Sequence, residues 1–354
     1  MAPRSRSNTW TFTTAALSDG AHGFTANAFD NAGNSSNTAA ISVVVDNTAP
    51  VAGTLSFNNL TDTGHADATP ITQDGTFDLS LANDTDANGI DTVVYQQSLN
   101  GGTWSDLPSS SLSGLADGSY QFRAVVTDNA GNSSNTAAIS VVVDNTAPVA
   151  GTLSFNNLTD TGHADATPIT QDGTFDLSLA NDTDANGIDT VVYQQSLNGG
   201  TWSDLPSSSL SGLADGSYQF RAVVTDNAGN SSNTAAISVV VDNTAPVAGT
   251  LSFNNLTDTG HADATPITQD GTFDLSLAND TDANGIDTVV YQQSLNGGTW
   301  SDLPSSSLSG LANGSYQFRA VVTENTGNSA NTAAISRSSS TTPRRSPGLC
   351  PSTT

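Results

Sequence analysis

Three observations predict an all-β fold. The stretch "DNTAPVAGTLSF" begins at Asp46, Asp144 and Asp242, a period of 98 residues. Within each period, runs such as "TFDLSL" and "SYQFRAVV" alternate apolar and polar residues, the period-two signature of half-buried strands. No segment shows the i, i+3, i+4 apolar spacing of a helix.

The copy at 46–143 gives the strands in order. "GTLSFNNL" (53–60) is strand A, with Leu55 and Phe57 on one face. "TFDLSL" (76–81) is B, turning Phe77, Leu79 and Leu81 inward and Asp78 outward. "DTVVYQQSL" (91–99) is C, and "GTWSDL" (102–107) follows it after an Asn-Gly-Gly turn. "SLSGL" (111–115) is a short E. "SYQFRAVVT" (119–127) is F, with Tyr120, Phe122, Ala124 and Val126 inward. "AAISVVVD" (137–144) is G, with Ile139, Val141 and Val143 inward. About seven strands in one 98-residue period is the strand count of an immunoglobulin-like sandwich. The expected architecture is therefore a tandem of immunoglobulin-like β-sandwich domains arranged as an extended rod, at roughly 40 Å per domain.

Two local features fit that fold. "LADGSY" (115–120) sets a Gly turn and a Tyr at the start of strand F, the arrangement of a tyrosine corner. Trp104 is expected to cover the core beside strand C. Identical neighbouring strands risk edge pairing, which the outward Asp78 and the negative surface oppose.

Residues 46–143 and 144–241 are identical, and the third copy (242–336) departs at Asn313, Glu324, Thr326 and Ala330. Residues 8–45 match only the second half of a repeat, with His22 in place of the corner tyrosine. The tail 337–354 has a different composition. If "VVVDNTAPVAGTLSFNNL" is written in GC-rich codons and read one base late, it yields "SSSTTPRRSPGLCPSTT" followed by a stop, which is the observed ending. The tail thus reads as the next repeat out of frame, after a two-nucleotide insertion at the Arg337 codon. On that reading it is disordered, Arg344, Arg345 and Cys350 have no role, and the parent protein continues with more repeats.

The 34 acidic and 8 basic residues give a net charge of −26. There is no Lys, and Glu324 is the one Glu. Such a charge repels nucleic acid and anionic membrane surfaces and calls for counter-ions. A single cysteine forbids an intrachain disulfide. No run of about 18 apolar residues is present to insert in a membrane, and "MAPRSRSNTW" lacks the apolar core of a secretory signal. Intrinsic disorder is disfavoured by the alternating apolar runs.

The densest acidic motif is "NDTDANGIDT" (83–92), repeated at 181–190 and 279–288. Its Asp84-x-Asp86-x-Asn88-Gly89 spacing is the first half of an EF-hand-type loop, without the closing bidentate Glu or the flanking helices. Alone it makes a weak cation site or plain turn chemistry. The sandwich topology adds partners, because the B–C loop, the F–G loop and the start of strand A meet at one pole. The candidate set is Asp46, Asp84, Asp86, Asn88 and Asp128. The second copy repeats it as Asp144, Asp182, Asp184, Asn186 and Asp226, and the third as Asp242, Asp280, Asp282, Asn284 and Glu324. Hard oxygen ligands of this kind fit Ca2+; the missing cysteine cluster and the isolated histidines argue against zinc. His65, His163 and His261 are read as plain loop residues. Asp62 and Asp67 of the same loop face the linker and are possible contributors from the preceding domain.

The linker "DNTAP", the F–G signature "DNAGN" and the corner "LADGSY" together resemble the bacterial immunoglobulin-like repeats of large secreted surface adhesins and biofilm-associated proteins, over residues 8–336. The resemblance implies an extracellular or cell-surface stalk exported by type I secretion and stiffened by calcium at its joints. Its partners would be neighbouring repeats of the same chain, with host, biofilm or surface ligands bound by regions outside this sequence. No catalytic constellation is present: no Ser-His-Asp spacing, Gly-rich phosphate loop, HExxH or reactive cysteine. The leading function is a structural extender of an adhesin. The alternatives are a carbohydrate-binding module using Trp104 and Tyr95, or an accessory spacer of a secreted enzyme.

Overall fold

The computed structural model describes residues 9–64, 68–162, 167–260, 265–269 and 271–339. His65, His163, His261, Asp67 and the tail from 340 onward lie outside them. The described residues fall into two compact units. One lies within Met1–Pro148, Thr183–Thr190 and Thr225–Ser232, the other within Val149–Asp182, Val191–Val224 and Asn233–Thr354. Among the described residues every regular element is a β-strand.

The half repeat supplies β1 (Gly20–Phe24), β2 (Asn27–Phe29), β3 (Ser35–Asn37) and β4 (Ile41–Val45). These form two antiparallel pairs, β1 with β4 and β2 with β3. The first complete copy contributes β5 (Thr54–Asn58), β6 (Ile71–Thr72), β7 (Phe77–Ala82), β8 (Ile90–Leu99) and β9 (Ser105–Asp106). It continues with β10 (Ser111–Leu112), β11 (Gly118–Asp128), β12 (Ser133–Asn135) and β13 (Ile139–Val143). One sheet has the order β10-β7-β5, and the facing sheet runs β6-β13-β11-β8-β9, with β12 pairing β11. All seven predicted strands are present. Two more were missed: β12, whose "SSN" carries no apolar alternation, and β6, a two-residue strand parallel to β13. The same strands recur in the second copy, from Thr152–Asn156 to Ile237–Val241, and in the third, from Thr250–Asn254 to Ile335–Ser339.

The core forms where the two sheets turn their alternate residues toward each other. Leu55, Phe77, Leu79, Leu112, Tyr120, Phe122, Ala124, Val141 and Val143 are buried there, with Phe57, Leu81 and Ile139 packed at the margin. Phe57, Phe77 and Phe122 meet edge to face at centroid separations of 5.3 to 6.1 Å, the geometry that the ring quadrupoles favour. The β8–β9 turn is built on Asn100 (φ 52°) and Gly101 (φ 71°), residue types that tolerate left-handed backbone. The tyrosine corner is present: the Tyr120 hydroxyl donates to the Ala116 carbonyl at 3.0 Å. In the half repeat His22 takes over the same tie, with Nε2 2.8 Å from the Ser18 carbonyl oxygen.

One expectation needs correction. Trp104 is not part of the core. It lies half-buried on the outer side of its sheet, with the Arg123 guanidinium 4.3 Å from its ring centre. Arg123 alternates with the inward Phe122 and Ala124, so it must face outward. Its Nε donates to Gln96, whose amide donates to Asp106. The last strand of the third copy spans Ile335–Ser339 and pairs with Gly314–Phe318. A backbone ladder does not depend on side-chain identity, so the altered sequence still completes the strand. Arg337 stands there at the register position of Val141 and Val239, fully buried, with its guanidinium 4.3 Å from the Phe273 ring centre.

Candidate metal centre

Each centre draws on three distant parts of the chain. Asp46 enters on the linker that follows β4. Asp86 sits in the loop between β7 and β8, where Thr85 pairs with Val51 through both backbone hydrogen bonds. The chain then turns through Gly89 (φ 91°). Asp128 ends β11. Oxygens of Asp46, Asp86 and Asp128 lie within 4.8 Å of one another, and so do those of Asp144, Asp184 and Asp226, and of Asp242, Asp282 and Glu324.

Amide side chains hold the loops in place. Asn129 donates to the Asn88 carbonyl at 2.7 Å and joins the two loops. Asn88 donates its side-chain amide to Asp46 at 2.8 Å and its backbone N–H to Asp86 at 2.7 Å. Asn132 donates to the Asp46 carbonyl at 3.1 Å and to the Asp128 carboxylate at 2.9 Å. The second copy repeats these ties through Asn186 and Asn230; in the third, Asn284 and Asn328 again hold Asp242, but the Asn328 side chain donates to the Thr326 hydroxyl and its backbone N–H to Glu324.

Of the predicted set, Asp46, Asp86 and Asp128 and their counterparts come together, with Asn88, Asn186 and Asn284 beside them. Asp84, Asp182 and Asp280 stand outside the clusters. Asp62 turns its carboxylate to its own loop, accepting the Gly64 and Ile71 N–H groups at 3.2 Å each. Sequence reasoning missed Asp117, which straps the linker to the corner. It accepts the Thr146 hydroxyl and the Asn145 N–H, the latter at 2.7 Å, and these bonds hold its carboxyl below the ordinary value. The fixed spacing of "LADG" and "DNT" was the available signal.

Burial separates the centres. Asp46 is half-buried, whereas Asp144 and Asp242 are only 2% and 3% exposed. Asp128, Asp226 and Glu324 are each 1% exposed. Burial acts to raise the Asp128 pKa. Hydrogen bonds from the Asn132 side chain and from the backbone N–H groups of Asn132, Ala130 and Gly131 outweigh it, and the net shift is downward. In the third copy Glu324 reaches one methylene further. Thr326 replaces alanine and supplies both its hydroxyl and its N–H to that carboxylate.

Three carboxylates this close repel strongly. Two unit charges about 4 Å apart cost roughly 4 kcal/mol at an effective dielectric of about 20. The donors seen around them are neutral amides and, in the third copy, the Thr326 hydroxyl, which orient the oxygens without cancelling the charge. A hard, oxygen-seeking divalent cation suits this donor set, and softer metals that favour sulfur or imidazole do not.

A profile of the bacterial Ig-like domain matches residues 2–47, 48–145 and 146–243, and a second, bacterial Ig-like domain (group 3), matches residues 206–320. The chain belongs to the bacterial Ig-like domain family. No curated protein matches it significantly. Among solved structures it is similar to a Ca2+-stabilised adhesin that helps an Antarctic bacterium reach out and bind ice. That match has 19% identity and a TM-score of 0.39, covering 90% of this chain and 81% of that one. A structure described for host cell surface retention of a 1.5-MDa bacterial ice-binding adhesin matches at 15% identity and a TM-score of 0.32, covering 81% and 98%. A tetra-tandem repeat from the extending region of a large adhesion protein matches at 19% identity and a TM-score of 0.32, covering 92% and 82%.

Proposed function

We propose that this chain is an extender segment of a bacterial cell-surface or secreted adhesin, in which calcium at each joint stiffens the connection between successive repeats. One observation carries the reading. The linker aspartate belongs to two repeats at once. The Asp144 N–H donates to Thr72 of the preceding repeat at 2.9 Å, while its side chain lies in the cluster formed by Asp184 and Asp226 of the next. An ion held there crosslinks the repeats. Asp46, Asp86 and Asp128, with their counterparts, would supply the carboxylates. Asn88, Asn186 and Asn284 would contribute Oδ1 if the amide turned over, an orientation that the hydrogen-bond network decides. Attachment to a surface or ligand belongs, on this reading, to other parts of the parent protein.

The test is calorimetric titration of the intact chain with Ca2+, paired with X-ray scattering and thermal melts in Ca2+ and in chelator. Dissociation constants of about 10⁻⁴–10⁻³ M are expected for an extracellular module of this kind. At about a hundredfold excess over Kd, each site adds roughly 2.7 kcal/mol of stability. Asp226→Asn should abolish one site. Unchanged dimensions and melting temperature after chelation would rule the reading out.

A further inference from the structure

The second contact between successive repeats is made by a hydroxyl and a backbone carbonyl, with Asp189 and Asp226 lining the space beside it. The Thr63 hydroxyl, oriented by the Gln73 N–H at 3.0 Å, donates to the carbonyl of Ala228 at the tip of the next repeat's F–G turn. In the following pair the Thr161 hydroxyl donates to the Thr326 carbonyl at 2.5 Å, with the Gln171 N–H at 3.1 Å behind it. The adjacent glycine is required by space rather than by backbone angle. A Cβ on Gly64 would fall 2.6 Å from the Asn227 carbonyl oxygen and 3.1 Å from its own Ile71 Cβ, and one on Gly162 would fall 3.0 Å from its own Ile169 Cβ and 3.1 Å from the Asn325 carbonyl oxygen.

The same residues occur where no such neighbour is present, which separates intrinsic turn geometry from contact. Ala130, in a turn with the sequence of that around Ala228, is exposed, whereas Ala228 and Thr326 are 0% exposed. Thr259 and Gly260 of the third copy are exposed, where Thr63, Gly64, Thr161 and Gly162 are half-buried. The Thr259 hydroxyl is oriented by Gln269 in the same way and lies 3.3 Å from its own Ile267 carbonyl, as those of Thr63 and Thr161 lie 3.5 and 3.4 Å from Ile71 and Ile169; the covered copies add the bond to the next repeat's turn.

We infer that the Thr-Gly pair at the start of each A–B loop is a docking edge that recognises the F–G turn of the following repeat without any cation. Its partner is defined by chemistry: a tight turn that presents a free carbonyl over a small residue, as Asp226–Gly229 and Glu324–Gly327 do. The glycine admits the turn, and the threonine hydroxyl fixes the register. This contact goes beyond the calcium reading and does not depend on it.

Hydrogen exchange of the intact chain in chelator tests it, read at the segment around Glu324–Asn328. That segment differs in sequence from the other copies and can be followed alone. Its amides at Thr326, Gly327 and Asn328 are bonded to Glu324. Gly162→Ala should raise exchange there by about tenfold, the factor for losing roughly one net hydrogen bond, and Thr161→Ala by a smaller factor. Thr259→Ala, the counterpart of Thr161→Ala at the uncovered edge, should leave it unchanged. The inference fails if Gly162→Ala and Thr161→Ala leave exchange unaltered, or if Thr259→Ala raises it as much as Thr161→Ala does. Because no cation is present, neither outcome depends on whether calcium binds.

Discussion

The strands Ile41–Val45 and Ile139–Val143 have the same sequence, "ISVVV", and the same antiparallel register. Val45 faces Gly20 and Ile41 faces Phe24 in the first, just as Val143 faces Gly118 and Ile139 faces Phe122 in the second. Their surroundings are opposite. Ile41 is 70% and Val43 45% exposed, while Val141 and Val143 are fully buried. The hairpin is therefore specified locally, by alternation and by the Asp-capped turn, and needs no second sheet to form its ladder. Stability is a different matter: it comes from the facing sheet, which the half repeat lacks among the described residues. The third copy gives a further contrast, because its last strand keeps the ladder while placing Arg337 at the position of a buried valine.

The strongest way to break this comparison is to truncate equivalent phenylalanines. Phe122→Ala should cost about 3–5 kcal/mol in urea unfolding, through lost burial and a cavity. Phe24→Ala should stay within about 0.5 kcal/mol, because Phe24 has no core above it. Equal losses would mean that the half repeat hides a core of its own. A gain should follow from Arg337→Val. Restoring the residue of the other copies removes a buried cation, and stabilisation of about 1–4 kcal/mol is expected, read as slower exchange along Ile335–Ser339. Faster exchange would show that the guanidinium stabilises the strand. The smallest effect concerns acid. Asp128 and its half-repeat counterpart Asp30 are both lowered from 3.8. For Asp30 the Asn34 side-chain hydrogen bond leads; for Asp128 burial opposes and is outweighed. With the folded pKa below the unfolded one, each turn contributes fully above the unfolded value and loses that contribution as pH falls through the folded one. In chelator, circular dichroism should show this loss only below about pH 4. A decline already between pH 7 and 5 would contradict it.

Much of the fold was legible because strands with one buried face must alternate. Phe77, Leu79, Tyr120, Phe122 and Val141 carry that pattern and occupy the core as expected. What escaped had no such pattern. The pairing of β6 with β13 joins residues some 70 positions apart along the chain and leaves no local mark. Trp104 was misplaced because ring size suggests burial, whereas Arg123 on the outer face offers it a cation–π partner. The acidic pole was legible only through topology. The i, i+2 spacing of Asp84 and Asp86 was read as one site, but the chain is drawn into a bridge at Thr85 and only Asp86 reaches the cluster. The straps at Asp117 and Asp215 were hidden within a motif already explained by its tyrosine.

Asp144 leaves the linker no slack. Its amide closes the ladder of one repeat and its carboxylate enters the pole of the next. One extra residue after Val143 would displace that carboxylate by about 3.3 Å and turn it to the opposite side of the extended chain. An array joined in this way can lengthen or shorten by whole periods, and single insertions at the seam sever it.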